Sequence, residues 1–432
     1  METGETNRGG DASRNLSSEP RLRPPVGGSY LGLLWHNRDF RAVYLASLIS
    51  LGGDWFMMVA LYDLVLSQTG SATLISVINL CLGLPALLVT PWAGSLIDKT
   101  DRRKLMVTVD LLRAGLALIP ILVVSPKLLP LAFLAVACLS AGSGFFDPAA
   151  EAAAPNIVAP EDLGRANALL GSAWGTMLMV GSAVGGLVAT YLGRNVAFAL
   201  NGLSFFVSAV LLWRIKLNFS EHSHHTAPQT TLRESLSEAV TFVKSRPQVM
   251  ALLSGKGLLG LTLGLTSLLS VFGEKVFLRG SEGIAKLFVA RGLGAVVGPF
   301  VLFALLQRSS LRTLAIGPCM MVYSLGYCFL SKSPSLEWAM VPIVLGHMGG
   351  GAMWQATTYA MQESVPDALR GRVFSFDQAI LGVTYSLSTM GVGLLVDRQG
   401  ARPVFFVLSL VFTLLGLLLF VVTRRLWQTH RV

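Results

Sequence analysis

The sequence predicts an all-α integral membrane protein with twelve transmembrane helices in two six-helix bundles. Three observations carry that prediction: the composition, the number of apolar runs, and an internal repeat. Of 432 residues, 53% are hydrophobic and 13% charged, with a mean hydropathy of +0.61. Soluble domains carry about 25% charged residues, so a water-soluble enzyme is excluded for lack of polar surface. A bilayer-spanning helix needs roughly 20 apolar residues, so twelve spans use about 250 positions. The remainder suffices for loops and tails.

Apolar runs fall near 43–66, 73–96, 105–124, 129–146, 166–191 and 196–213. They resume near 250–272, 284–306, 314–330, 338–361, 374–396 and 404–422. The expected organisation is a disordered cytoplasmic tail (1–29), a first bundle (30–215), a linker (216–248), a second bundle (249–423) and a short tail (424–432). The polar segment before residue 29 has no apolar core and so does not read as a secretory signal. Tyr30 to Arg41 mixes aromatic and basic residues, as a short interfacial helix does. Pro160-Glu-Asp-Leu-Gly-Arg165 and Pro366-Asp-Ala-Leu-Arg-Gly-Arg372 stand 206 positions apart, just before the fifth and eleventh runs. That is the spacing of a six-span duplication, the usual build of transporters that rock two bundles about a midplane site.

Of the 34 Lys and Arg residues, 23 fall in the tails and loops on the side of the N-terminus, eight on the other side and three inside spans. Basic loops stay cytoplasmic, which predicts both termini inside and a multi-pass protein of the inner (plasma) membrane. The bias also accounts for the net charge of +10 without a nucleic acid. Cys81, Cys138, Cys319 and Cys328 lie in apolar segments without metal-type spacing and read as packing residues. His222, His224 and His225 fall in the linker, which offers no preorganised second shell for a metal. In the same linker Leu232, Leu236, Ala239, Val240 and Val243 share one helical face and predict an interfacial helix. No metal or cofactor is expected. The chain has no G-x-x-x-x-G-K-[ST] phosphate loop, no H-E-x-x-H and no G-x-S-x-G, so neither an ATP-driven pump nor an intramembrane enzyme is indicated.

The loop after the second run reads Gly94-Ser-Leu-Ile-Asp98-Lys99-Thr-Asp101-Arg102-Arg103-Lys104. It resembles the signature G-x-x-x-D-[RK]-x-G-R-[RK] of the major facilitator superfamily, matching at Gly94, Asp98, Lys99, Arg102 and Arg103, with Asp101 in place of a glycine. Phe40-Arg41, Ser50-Leu-Gly-Gly-Asp54, Asp110-Leu-Leu-Arg113-Ala, Phe146-Asp147-Pro148-Ala149, Arg165-Ala-Asn167-Ala and Arg370-Gly371-Arg372 are similar to the branch holding macrolide-efflux and enterobactin exporters. Members of that branch are usually treated as drug:proton antiporters. The antiporter pattern near G-P-x-x-G-G departs here to Gly181-Ser182-Ala-Val-Gly185-Gly186.

The resemblance implies the major facilitator fold, alternating access, and a monomer that takes a small-molecule substrate and protons. It makes Gly94, Asp98, Lys99, Arg102, Arg103, Asp147, Arg370 and Arg372 a gating latch, with Asp147 in reach of Arg102 or Arg103. Ionisable residues inside a bilayer are functional suspects. Asp54 stands first as a proton or cation site, then His347, which titrates near neutral pH, and Asp63, Arg113 and Asp110. Asp110 and Arg113 are one turn apart and can pair along one helix face. Lys256 and Arg291 are read as snorkelling from helix ends. Trp55, Phe56, Tyr62, Trp354, Gln355 and Tyr359 are candidate cavity residues. The expected function is a proton-coupled exporter of small amphipathic compounds such as drugs, secondary metabolites or siderophores. The alternatives are a lysolipid flippase-like or uncoupled facilitative transporter and, from another class, a non-transporting receptor or scaffold.

Overall fold

The computed structural model describes residues 29–215, 240–306 and 309–429, which are helical apart from short turns. The expected N-terminal tail, the histidines of the linker and the last three residues lie outside the described residues. A seven-residue helix, α1 (Tyr30–His36), precedes the first bundle. That bundle comprises α2 (Arg38–Thr69), α3 (Ala72–Lys99), α4 (Arg102–Leu116), α5 (Leu129–Ile157), α6 (Leu163–Tyr191) and α7 (Arg194–Trp213). The second comprises α8 (Pro247–Ser267), α9 (Gly280–Leu306), α10 (Ser309–Lys332), α11 (Leu336–Ser364), α12 (Asp367–Gln399) and α13 (Ala401–Thr429).

Local chemistry sets the ends. The Asn37 carboxamide oxygen accepts the Phe40 N–H at 3.0 Å to start α2, as side-chain caps do for orphan amides. Gly70 ends the same helix at φ 63°, a left-handed conformation that glycine adopts freely. Asp101, the departure from the loop signature, caps α4 by accepting the amides of Arg103 at 2.9 Å and Lys104 at 3.2 Å. The carboxylate thus satisfies donors that glycine would leave to water. The two repeat motifs sit alike: a turn at Pro160–Asp162 precedes α6, and Pro366 is the N-cap of α12.

Eleven helical segments among the described residues are long and apolar enough to cross a membrane. The remaining long helix, α11, has 29 residues but is diluted by His347, Gln355 and the glycines at 346 and 349–351. It packs between α9 and α10 and completes the second bundle. The bundles meet through α3 against α12 and α6 against α9, which are spans two with eleven and five with eight. A duplication of six spans relates these two pairings to each other. In each bundle the second and fifth helices therefore make most of the contact with the other half.

Candidate functional site

The α2 segment Ser50-Leu-Gly-Gly-Asp54 is shaped by close approach. A Cβ at Gly53 would fall 2.1 Å from Ser204 Oγ on α7, so only glycine lets the two helices meet there. This places Asp54 opposite Arg113 of α4, whose Nη2 donates to Asp54 Oδ2 at 2.8 Å. Arg113 also donates to Asp110 Oδ1 at 3.3 Å, Ser50 Oγ at 3.1 Å and Ser143 Oγ at 3.0 Å. Its Cζ stands 4.0 Å from the centroid of the Phe205 ring. The expected Asp110–Arg113 pair is present, and it includes Asp54. A buried ion costs several kcal/mol to desolvate unless it is paired and hydrogen-bonded, and this guanidinium has two carboxylates and two hydroxyls. The three members differ in access. The Asp110 side chain is 0% exposed, that of Arg113 3% and that of Asp54 27%, so water reaches the cluster through Asp54. Asp147 of α5 is exposed.

The second bundle has its own buried pair. Lys256 Nζ lies 3.6 Å from Asp377 Oδ2 and 3.7 Å from the Trp354 ring centroid. Lys256 and Asp377 are each 1% exposed. Lys256 does not snorkel, because it lies nine residues inside α8 and its ammonium is neutralised in place. Asp377 escaped the reading of the sequence, although the rule that selected Asp54 applies to it equally. Trp354 is partly exposed but holds a cation rather than open space, and Gln355 beside it is half-buried.

His347 is a hydrogen-bonded interior residue. Its Nε2 and the Tyr327 hydroxyl are 2.8 Å apart, Tyr327 meets Thr266 Oγ1 at 2.6 Å, and Thr266 also pairs with Tyr323. Tyr62 is equally occupied: its hydroxyl donates to Asn79 Oδ1 at 2.7 Å. The same Asn79 oxygen accepts from Tyr385 at 3.2 Å, and Asn79 Nδ2 donates to the Ser267 carbonyl at 3.4 Å. Asn79 thereby ties α2 and α3 to α8 and α12.

This tie belongs to a seam between the bundles on the side away from α1. Ser76 Oγ donates to the Thr389 carbonyl at 2.7 Å. At the rim, Asp397 Oδ1 accepts the Ala72 N–H at 2.7 Å. Its Oδ2 accepts the Ser71 hydroxyl at 2.8 Å and the Thr73 N–H at 2.9 Å. A carboxylate from α12 thus caps the positive end of α3 across the interface. Across the other pairing, a Cβ on Gly186 would fall 1.9 Å from the Ala285 Cβ. The hydrogen bonds that Asn79, Ser76 and Asp397 make between the bundles lie on this half of the molecule.

Asp63 stands apart from the Asp54 cluster, 3.7 Å from Arg194. Trp55 is buried and meets Trp174 edge to face at 5.9 Å. Phe56 is half-buried against α6 at Gly185, and Tyr359 is exposed. In the loop after α3, Arg102 Nη1 donates to the Ala152 carbonyl at 2.8 Å and Arg103 donates to the Ile215 carbonyl. Both arginines therefore anchor the loop to the ends of α5 and α7 in its own bundle. The side chains of Gly94, Asp98, Lys99, Arg370 and Arg372 lie outside the described ones. Asn79, Asp397 and Tyr385 carry no pattern in the sequence that marks them, since their role comes from contacts between halves.

Comparison with known proteins agrees with this architecture. The chain is 26% identical over 385 residues to the multidrug efflux pump Tap of Mycolicibacterium fortuitum, covering 87% of this chain and 93% of that one. It is 25% identical over 389 residues to Tap of Mycobacterium tuberculosis (strain ATCC 25618 / H37Rv), covering 87% and 91%. A crystal structure of a bacterial homologue of the human lysosomal transporter Spinster, inward-facing and unoccupied, superposes with a TM-score of 0.70. It is 15% identical and covers 93% of this chain and 99% of the other. The sequence model of the Major Facilitator Superfamily matches residues 43–383 and 279–429. Among the described residues twelve long helices form two related bundles, joined through spans two with eleven and five with eight, and the chain thus belongs to the Major Facilitator Superfamily, as a membrane transporter and not an enzyme.

Proposed function

We propose that this transporter is a proton-coupled exporter of small amphipathic compounds, with both termini in the cytoplasm. One observation carries the proposal: a single guanidinium, Arg113, is shared by two carboxylates, of which only Asp54 meets water. With Asp54 ionised, Arg113 is held between Asp54 and Asp110. A proton on Asp54 removes one partner, and Arg113 then turns to Asp110 and the hydroxyls of Ser50 and Ser143. Two arrangements of one buried network, chosen by one proton, are what a coupled carrier needs. The seam that closes the half away from α1 fits a state open to the cytoplasm. The efflux activity named for Tap supports the outward direction. Ser182, where antiporters carry proline, leaves α6 an unbroken helix from Leu163 to Tyr191 and is the feature that favours uncoupled transport instead.

Everted membrane vesicles separate the two. A panel of radiolabelled aromatic amphiphiles, cationic, zwitterionic and anionic, is offered with and without an imposed proton gradient. Gradient-driven accumulation of at least one compound is expected in the parent and is lost in Asp54→Asn, while exchange of that compound at equilibrium persists. Accumulation in Asp54→Asn equal to the parent would refute the role of Asp54. Flux indifferent to the gradient in both would establish the uncoupled carrier.

A further inference from the structure

Arg113, Lys256 and Arg291 lie deep inside their helices, and two of them are matched. Arg113 has Asp54 and Asp110, and Lys256 has Asp377. Arg291 is eleven residues into α9, about 16 Å from its start at 1.5 Å per residue. Among the described residues it has no ion pair and no hydrogen bond. It is partly exposed, unlike the other two. The guanidinium stands 5.9 Å from the centroid of the Trp55 ring in the first bundle and 5.5 Å from that of Phe288 in its own. Phe288 in turn lies 5.8 Å, ring to ring, from Tyr62 of α2, and the polar ring groups of that interior are Tyr62, Tyr323, Tyr327, Tyr385 and His347. Each of these groups is committed to a hydrogen bond with Asn79, Thr266 or one another.

An unmatched cation at this depth is costly, and aromatic faces offset only part of that cost. A guanidinium presents a planar fork of donors that fits a carboxylate or another oxyanion with two parallel hydrogen bonds. The ring of Trp55, which also meets Trp174 edge to face, is an apolar neighbour of that fork. We infer that Arg291 binds the anionic end of the transported molecule, so the transporter accepts amphiphiles that carry an oxyanion on an aromatic or apolar body. This inference rests on the exporter proposed above for its role in transport, but not for the binding itself. Trp55 links the two sites along the chain, since its neighbour Asp54 points to Arg113. Occupation of Arg291 by an anion therefore acts on the same turn of α2 that carries the proton site.

The test is equilibrium binding, which needs no gradient. Protein in lipid nanodiscs is titrated calorimetrically with 2-naphthoate and with 2-naphthylmethanol, which share a ring system and differ in charge. The parent is expected to bind the carboxylate at least tenfold more tightly than the alcohol. Arg291→Gln should abolish that preference with the alcohol's affinity unchanged, and Arg291→Lys should keep only part of it, because an ammonium cannot form the fork. No preference in the parent, or the full preference in Arg291→Gln, would overturn the assignment. Should Arg291→Gln lose the alcohol as well, Arg291→Lys decides: a preference lowered at least threefold supports the site and an unchanged one refutes it. Binding through Arg291 without gradient-driven flux would sink the coupled exporter and leave this site standing.

Discussion

Replacing Asp397 by Asn tests the seam at its rim. The carboxylate accepts three hydrogen bonds from the first turn of α3, at 2.7, 2.8 and 2.9 Å. A carboxamide keeps one acceptor oxygen and turns an NH2 group toward donors, so at least one bond is lost and the attraction to the helix end is removed. A hydrogen bond to a charged group contributes about 1.5–3 kcal/mol, and a charge at a helix end about 0.3–1 kcal/mol. Asp397 is exposed, so water replaces part of what is lost, and about 2 kcal/mol is a fair total for the closed state. Since 1.4 kcal/mol is tenfold, the ratio of far-side-closed to far-side-open molecules should fall by roughly 30-fold. Spin labels at Tyr191 and Leu278, exposed on that side in opposite bundles, report the opening as a distance distribution in a cysteine-free background. The parent should give one short distance and Asp397→Asn a second, longer population. An unchanged distribution would refute the claim that this contact holds the bundles together.

Other variants probe the remaining contacts. Gly186→Ala places a methyl where the Ala285 side chain already stands and should wedge the same side open, seen by the same labels. Arg113→Ala strands two carboxylates within the first bundle and should cost about 3–5 kcal/mol, with a large fall in thermal midpoint. In the second bundle, Lys256→Met and Asp377→Leu should each destabilise strongly while the double variant recovers most of the loss, a coupling that a double-mutant cycle in thermal unfolding reads directly. Asp101→Ala removes the cap of α4 and should cost about 1 kcal/mol, whereas Asp101→Gly should cost only a few tenths of that amount. Equal losses in the two would exclude capping as the reason for the departure from the family signature.

The spans were legible because each helix must present apolar residues to lipid around most of its surface, whatever it packs against. The Asp54 cluster was partly legible for the complementary reason. A charge inside an apolar run stands out, and Asp110 and Arg113 announce their pairing by a one-turn spacing. Their link to Asp54 depends on how α2 crosses α4, which no local pattern encodes. Lys256 and Asp377 are separated by 121 positions, so each reads as an isolated charge until the bundle forms. Asp397 looks like an ordinary loop residue at the end of α12, and its value lies in the amides of a helix 325 positions away. Tyr62 and His347 show the converse. Both carry suggestive chemistry, and both spend it on interior hydrogen bonds.

The most direct test of coupled exchange is to follow protons and substrate together in one preparation. Proteoliposomes enclosing a pH-sensitive dye and a labelled amphiphile that the vesicle screen identifies are diluted into substrate-free buffer. Loss of the amphiphile should acidify the lumen in fixed proportion in the parent, and Asp54→Asn should release it with no change in pH. Release from the parent at an unaltered internal pH would contradict proton exchange at Asp54.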